Sequence, residues 1–462
     1  MTQLKHSKKE LAVEETRLLS GILQSKINKN KVIDSCHAKF FFGTSFEDYE
    51  YNAGLSDYGP AGIGIKQNIE KVFRRSFINQ SKINSEEIEA TILTPDPVFE
   101  ASGHKVRFCD YVVKENKNGK THRLDHLLEK LEGQSKKPRS RKNIDSMSVG
   151  EQYALLEKLK GPGKFSEPIE YNLMFKTNFG EKNHIFLRPE TAQGMFMNFR
   201  RMRDFNGHKL PFAVGQIGKS FRNELQTSSQ AMQRLREFNM AELQVFFDPE
   251  KLVEIEPEFE PSKCLVWSAS DQMSGKTASV RSLTDTDVNG NKIYLYYLQK
   301  VMNFAETIGL DLTKCRLRQH SDYEMAHYST DCWDLEVEMF DNSWSECVGI
   351  ANRGCYDLTN HGEKSGAVHN YTAERTRDSD GKVVRYVPHV IEPSFGLDRL
   401  VMAVLVHNFK ERKAVTVKSV VIGSGKCDSL QCLIDLSHFI LFFFSRGCFS
   451  VTNSSVCCQL KN

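Results

Sequence analysis

Apolar side chains recur at helical spacing after the turn signal Gly59-Pro60-Ala61-Gly62, through Ile65, Ile69, Val72, Phe73 and Phe77. Ile88–Leu93 then alternates as a strand does, and Thr94-Pro95-Asp96-Pro97 stops it. The helical period returns over Glu190–Arg203, carried by Ala192, Met195, Phe199 and Met202. Two strands are predicted next, Phe212–Glu224 and Arg236–Phe247, joined by the polar stretch Leu225–Leu235 and therefore expected to pair antiparallel. In the second, Phe238, Met240 and Glu242 face one side, while Ala241, Leu243, Val245 and Phe247 face the other. Residues 294–308 predict a helix, 333–340 and Val387–Ile391 predict strands, and Gly396 to about His407 predicts a helix burying Leu397, Leu400, Val401 and Val404.

Composition narrows the class. A chain of 462 residues, 40% hydrophobic and 26% charged, has material for two to three soluble domains. With 62 basic and 59 acidic residues the net charge is +3, which neither demands nor excludes nucleic acid. The lead-in Met1–Lys31 lacks the apolar core of a secretory signal, and Glu10, Glu14 and Glu15 argue against a transit peptide. No stretch approaches the roughly 20 apolar residues of a membrane span; the nearest, Phe439–Phe444, is far shorter. Of twelve cysteines, five (Cys427, Cys432, Cys448, Cys457 and Cys458) crowd into the last 36 residues and seven are scattered; with no CxxC pair, the scattered thiols fit a reducing cytoplasm better than a disulfide framework or a zinc site. Residues 114–143, with Lys136-Lys137-Pro138-Arg139-Ser140-Arg141-Lys142 at their extreme, read as a flexible, solvated basic insertion, ahead of an RNA contact and, last, a nuclear targeting signal.

Two strings resemble the end of a phosphate-binding loop, Gly218-Lys219-Ser220 and Gly275-Lys276-Thr277. Both fail, because the required upstream glycine is Ala213 in one and Ser270 in the other. What remains is a constellation of arginines and carboxylates: Arg222 and Glu224 at one strand end, Arg236, Glu237 and Glu242 on the return strand, and Arg399 at a helix start. Planar guanidinium groups on a rigid sheet suit phosphate oxygens, although surface ion pairs use the same residue types.

Longer strings decide between these readings. Phe221-Arg222-Asn223-Glu224, Arg236-Glu237-Phe238 and Met240-Ala241-Glu242 resemble motif 2 of the class II aminoacyl-tRNA synthetases. Gly396-Leu397-Asp398-Arg399-Leu400 resembles motif 3, and the helix around Gly64–Phe77 with the strand after it is similar to motif 1, the dimer element. Four further strings resemble the glycyl-specific members: Leu187-Arg188-Pro189-Glu190-Thr191-Ala192-Gln193-Gly194; Glu324-Met325-Ala326-His327-Tyr328 with Asp331-Cys332-Trp333-Asp334; Val390-Ile391-Glu392-Pro393-Ser394-Phe395-Gly396; and Ser102-Gly103-His104. The likeness runs from about residue 38 to about residue 413.

This resemblance implies an α+β fold, an antiparallel catalytic sheet flanked by helices. It implies a polar extension over 1–35, a catalytic domain over 36–413 with a basic insertion at about 114–165, and an atypical tail over 414–462 where the family has an anticodon-binding domain. The tail, with its Ser437–Phe444 run, reads as disordered. The implied activity is ATP-dependent formation of glycyl-adenylate and transfer to the 3′ end of tRNA(Gly), with diadenosine polyphosphate synthesis as a side activity. Arg222 is expected on the α-phosphate and Arg399 on the γ-phosphate, both catalytic. Asn223, Glu224, Arg234, Leu235, Phe238, Glu346, Cys347 and these two arginines are expected to bind ATP, with Phe238 stacking on the base and Glu346 holding Mg²⁺. Glu190, Glu242, Glu392, Pro393 and Ser394 are expected to hold glycine: carboxylates for the ammonium, and no room beyond the α-carbon. The implied partners are glycine, tRNA(Gly) and a second copy of the chain through motif 1, without a membrane, in the cytoplasm, a mitochondrial form staying open. Two other readings stay open: a truncated paralogue that binds nucleotide or RNA as a regulator, and a general nucleic-acid module using the basic insertion.

Overall fold

A computed structural model describes residues 29–411, apart from breaks at 50–52, 133–143, 145–146, 181–182, 226, 228–231, 255–262, 287–290, 323, 341 and 377–380, together with residues 432–434. The lead-in before residue 29, the Lys136–Lys142 run and most of the 414–462 tail therefore lie outside the described residues.

Nine strands form the central sheet: β1 (Asn84–Glu87), β2 (Phe212–Phe221), β3 (Glu237–Phe247), β4 (Lys263–Trp267), β5 (Ser279–Ser282), β6 (Cys315–Gln319), β7 (Asp331–Glu338), β8 (Trp344–Gly354) and β9 (His389–Gly396). Their order is β5-β4-β6-β7-β8-β9-β3-β2-β1. The six strands from β6 to β2 pair antiparallel throughout, and parallel pairs, β4 with β6 and β1 with β2, lie on either side of them. The predicted β2–β3 hairpin is present, in register from Phe212 opposite Phe246 to Phe221 opposite Glu237.

Three helices cover one face: α1 (Pro60–Phe73), α2 (Lys292–Thr307) and α3 (Leu397–His407). The alternation read in β3 explains why they pack there. Ala241, Leu243, Val245 and Phe247 join Ile65, Ile69 and Phe73 of α1, Tyr294, Leu298 and Phe304 of α2, and Leu400, Val401 and Val404 of α3 in one buried cluster. Phe395 of β9 sits at its centre, with ring centroids 5.2, 4.9 and 5.1 Å from Phe73, Phe77 and Phe304.

Three expectations are corrected. Glu190–Arg203 is not one helix but two, Ala192–Met197 and Phe199–Phe205. At the joint the Asn198 side chain donates to the Gly194 carbonyl (2.8 Å), a local bond that competes with helix continuation. Glu190 and Thr191 precede the first helix, which leaves the Thr191 N–H available to a side chain.

Ile88–Leu93 is a crossover rather than a strand. Ile88 still donates to Gly215 (2.9 Å), after which the chain leaves the sheet and Leu93–Pro95 pairs with Ile185–Leu187 in a separate sheet. Finally, much of the basic insertion is folded. Strands Cys109–Lys114, Thr121–Arg123 and Ile169–Asn172 form a small sheet. Helices Leu124–Glu132 and Val149–Lys160 bury Leu124, Leu128, Leu155 and Leu156 with Val113. Ser148 and Glu151 cap the second helix reciprocally. Lysine and arginine content alone hid this small core.

Candidate active site

On the face away from the helices, Phe238, Met240 and Glu242 of β3 open onto a cavity of about 320 Å³. Arg222, Glu224, Arg234 and Leu235 line it from the ends and loop of the β2–β3 hairpin, Glu346 and Cys347 from β8, Glu392 and Ser394 from β9, Arg399 from α3, and Glu190 from the turn before its helix. Two expected residues are not among its lining. Pro393 is buried on the opposite side of β9, as the two-residue period requires once Glu392 and Ser394 face the cavity. Asn223 follows the end of β2, and its N–H bonds to the Leu173 carbonyl (2.7 Å).

The guanidinium groups are held from behind. Arg222 donates through Nε to the Pro189 carbonyl (3.2 Å) and lies over the Phe108 and Phe238 rings at 5.2 and 5.4 Å. Its two terminal nitrogens have no hydrogen bond to the described residues. Arg399 donates through Nε to Gln233 O (3.0 Å) and through Nη1 to Glu346 O (2.7 Å). Asp398, beside it, is buried and accepts from the Tyr58 hydroxyl (2.5 Å) and from both nitrogens of Asn239 (2.7 and 2.9 Å), which pins the start of α3 to α1's lead-in and to β3. Arg236 bonds the carbonyls of Glu224 (3.1 and 3.0 Å) and Ala53 (2.6 Å), tying the hairpin loop to the segment before α1.

At the closed end stand three buried carboxylates. Glu242 accepts from the Thr191 N–H (2.8 Å) and hydroxyl (2.5 Å) and from the Ser394 hydroxyl (2.7 Å). Glu190 accepts from Gln193 (3.0 Å) and lies 3.2 Å from His104 Nε2, whose Nδ1 is engaged by the Ser102 hydroxyl at 2.8 Å. Glu392 accepts from Gln244 and from Arg353 Nη1 (3.0 and 3.1 Å). Arg353, fully buried, also grips Asp357 through two bonds (2.7 and 2.9 Å) and stacks 3.7 Å from the Tyr328 ring centroid.

Burial penalises all three carboxylates, but their neighbours separate them. His104, Arg353 and Gln193 overcome that penalty for Glu190 and hold it well below the usual carboxylate range. Burial, with the Glu190 charge added, raises Glu242. Burial pushes Glu392 up to about 8 against the opposing pull of Arg353. The three carboxylates share one wall of the cavity, and their neighbours largely compensate their charge. The sequence reading missed Arg353, Asp357, Gln193 and His104 as parts of it, although His104 and Gln193 fall in strings that carried the resemblance.

Residues 175–408 match the tRNA synthetase class II core domain (G, H, P, S and T). The chain is 33% identical to the glycine–tRNA ligase of Bombyx mori, with 89% of this chain and 68% of that protein covered. It is 32% identical to that of Methanocaldococcus jannaschii, covering 83% and 80%. The chain belongs to the glycine–tRNA ligase family of class II aminoacyl-tRNA synthetases. Against the Drosophila melanogaster glycine–tRNA ligase it is 38% identical over 79% of its own length and 50% of that protein, so it spans about half of some family members.

As in the class II core, the α+β architecture has an antiparallel sheet at its centre. A second cavity, of about 500 Å³, opens between this sheet and the insertion. Asp110, Arg123 and Asp125 line it on one side and Arg318, Glu336 and Glu346 on the other, and it shares His320, Glu324, Asp334 and Glu346 with the first cavity. No described helix is long and apolar enough to cross a membrane.

Proposed function

We propose that this chain activates glycine with ATP and transfers the glycyl group to tRNA(Gly). The carrying observation is that Arg222 and Arg399, from elements 177 residues apart in sequence, flank one cavity whose closed end is Glu190, Glu242 and Glu392. A glycine carboxylate oxygen attacks the α-phosphorus, the bond to the bridging oxygen breaks, and pyrophosphate leaves. The terminal nitrogens of Arg222 stabilise charge growing on the α-phosphoryl oxygens. Arg399 holds the far end of the triphosphate, and Phe238, under the Arg222 group, offers a face for the adenine.

Glu242 and Glu190 take the ammonium, and Ser394 keeps Glu242 aimed at it. The hard carboxylate of Glu346, half exposed at the cavity rim, suits Mg²⁺, which when bound offsets charge on the phosphate oxygens. In the second step a ribose hydroxyl of tRNA attacks the glycyl carbonyl carbon and AMP leaves. No side-chain nucleophile is required; positioning supplies the rate. The same adenylate passed to a second ATP would give diadenosine tetraphosphate. We place the enzyme in the cytoplasm, as a homodimer through the motif 1 region.

Glycine-dependent exchange of labelled pyrophosphate into ATP tests the first step on the purified chain. Exchange that requires glycine and disappears in Arg222→Ala is expected. Nucleotide binding with no glycine-dependent exchange would instead favour the regulatory paralogue.

A further inference from the structure

On the wall of the proposed substrate pocket, one side-chain cluster has no part in the mechanism above. β6 and β7 pair antiparallel with Gln319 opposite Trp333, and His320 follows with its N–H on the Cys332 carbonyl (2.9 Å). Along β7, Trp333 turns into the core and is fully buried, so Cys332 and Asp334 both project from the other face. The backbone therefore brings three different donors to one point. The imidazole nitrogen of His320, the sulfur of Cys332 and a carboxylate oxygen of Asp334 lie within 4.8 Å of one another, the one such group of three among the described residues.

His320 Nε2 already meets Asp334 Oδ2 at 2.6 Å, and its Nδ1 has no hydrogen-bond partner among the described residues. Among the described residues the ring is thus held from the side of the cluster alone, and turning Nε2 onto an ion breaks no other bond there. All three residues line the first cavity, and His320 and Asp334 also line the second. Glu346 stands close by, and burial together with its charge pushes Asp334 up to about 7, a repulsion that a cation relieves.

We propose that His320, Cys332 and Asp334 form a binding site for a zinc-class divalent cation, with a fourth position open to the junction of the two cavities. The donor set decides the class: nitrogen, sulfur and oxygen with an open position suit Zn²⁺ and not the all-oxygen preference of Mg²⁺. Binding forms bonds from Nε2, Sγ and Oδ2 to the ion, the thiol releases its proton to solvent, and the fourth ligand is water or a lone pair of a molecule in the cavity. An ion there stands among residues that line both cavities, so zinc would act on what occupies the site without belonging to the glycine-activation step.

The test needs neither ATP nor glycine, so its outcome is independent of the proposed activity. The full chain is titrated with Co²⁺, which reports sulfur ligation through a thiolate-to-metal absorption band, and the band is then displaced by Zn²⁺ and challenged with excess Mg²⁺. A band component lost in both Cys332→Ser and His320→Ala is expected, with affinity reduced at least about tenfold, unchanged in Cys109→Ser and insensitive to Mg²⁺. His320→Ala decides alone if Cys332→Ser does not fold. A spectrum that neither substitution alters, whether the band is absent or arises from the tail cysteines, overturns the site.

Discussion

Glu242 takes three bonds from Thr191 and Ser394 and is raised by burial and by Glu190, whereas Glu190 stays ionised. Under the proposed function, Glu242 is therefore, of the two, the titrating partner for an ammonium. Its charged form binds, and its folded value is raised from 4.5. As pH falls through that raised value the charge is lost, so the KM for glycine should climb on acidification while the KM for ATP stays level. Glu242→Gln should raise the glycine KM by about 30-fold or more, near 2 kcal/mol for a lost charge-assisted bond, and remove that pH dependence; an equal change in the ATP KM would reject the assignment. Arg353 donates to Glu392 and to Asp357 at once. Arg353→Met, which strands two buried acids, should lower unfolding free energy by about 3–5 kcal/mol in urea titrations. The cavity-lining carboxylates were legible because they fall in recognisable strings. Arg353 was not, since one arginine on a strand carries no sign of which acids fold against it.

At the scale of elements, boundaries depended on side chains that compete with the backbone. Asn198 splits one expected helix, and the Ile88–Leu93 alternation marks a crossover where Arg188 takes the Ala90 carbonyl (2.9 Å). By contrast, α2, α3 and the β2–β3 hairpin follow their apolar period closely, because packing and pattern agree there. The end of α3 shows a different dependence. His407 accepts the Asp311 N–H at Nδ1 (3.1 Å) and meets the Glu338 carbonyl from Nε2 (2.9 Å), a pattern only the neutral ring satisfies. Burial pushes it down to about 4 from 6.5. Between those values the unfolded chain binds a proton that the native chain refuses. Stability is therefore full above about pH 6.5 and declines as pH falls towards 4, by up to about 3 kcal/mol. Thermal melts of His407→Gln should show a flatter acid limb. Tyr58→Phe, which removes one bond to buried Asp398 at the start of α3, should cost about 1–2 kcal/mol and raise the ATP KM through a looser Arg399.

Across the whole molecule, the order of nine strands and the parallel pairs outside the antiparallel six were not legible, because neither leaves a local period. The folded insertion was hidden by its lysines. Phe395 joins distant parts of the chain, meeting Phe73, Phe77 and Phe304 in the core beneath β9. Phe395→Ala should cost about 3–5 kcal/mol, read from the denaturation midpoint, and should weaken the site above it only through lost stability. The two sides of β3 meanwhile answer to different demands: one is pressed against helices, the other against solutes. Mutational drift on the solute side is therefore free to retune which small molecule is accepted without loosening the dry side. A one-residue deletion inside β3 would instead exchange the two roles at once, pushing Glu242 into oil and turning leucine towards the cavity.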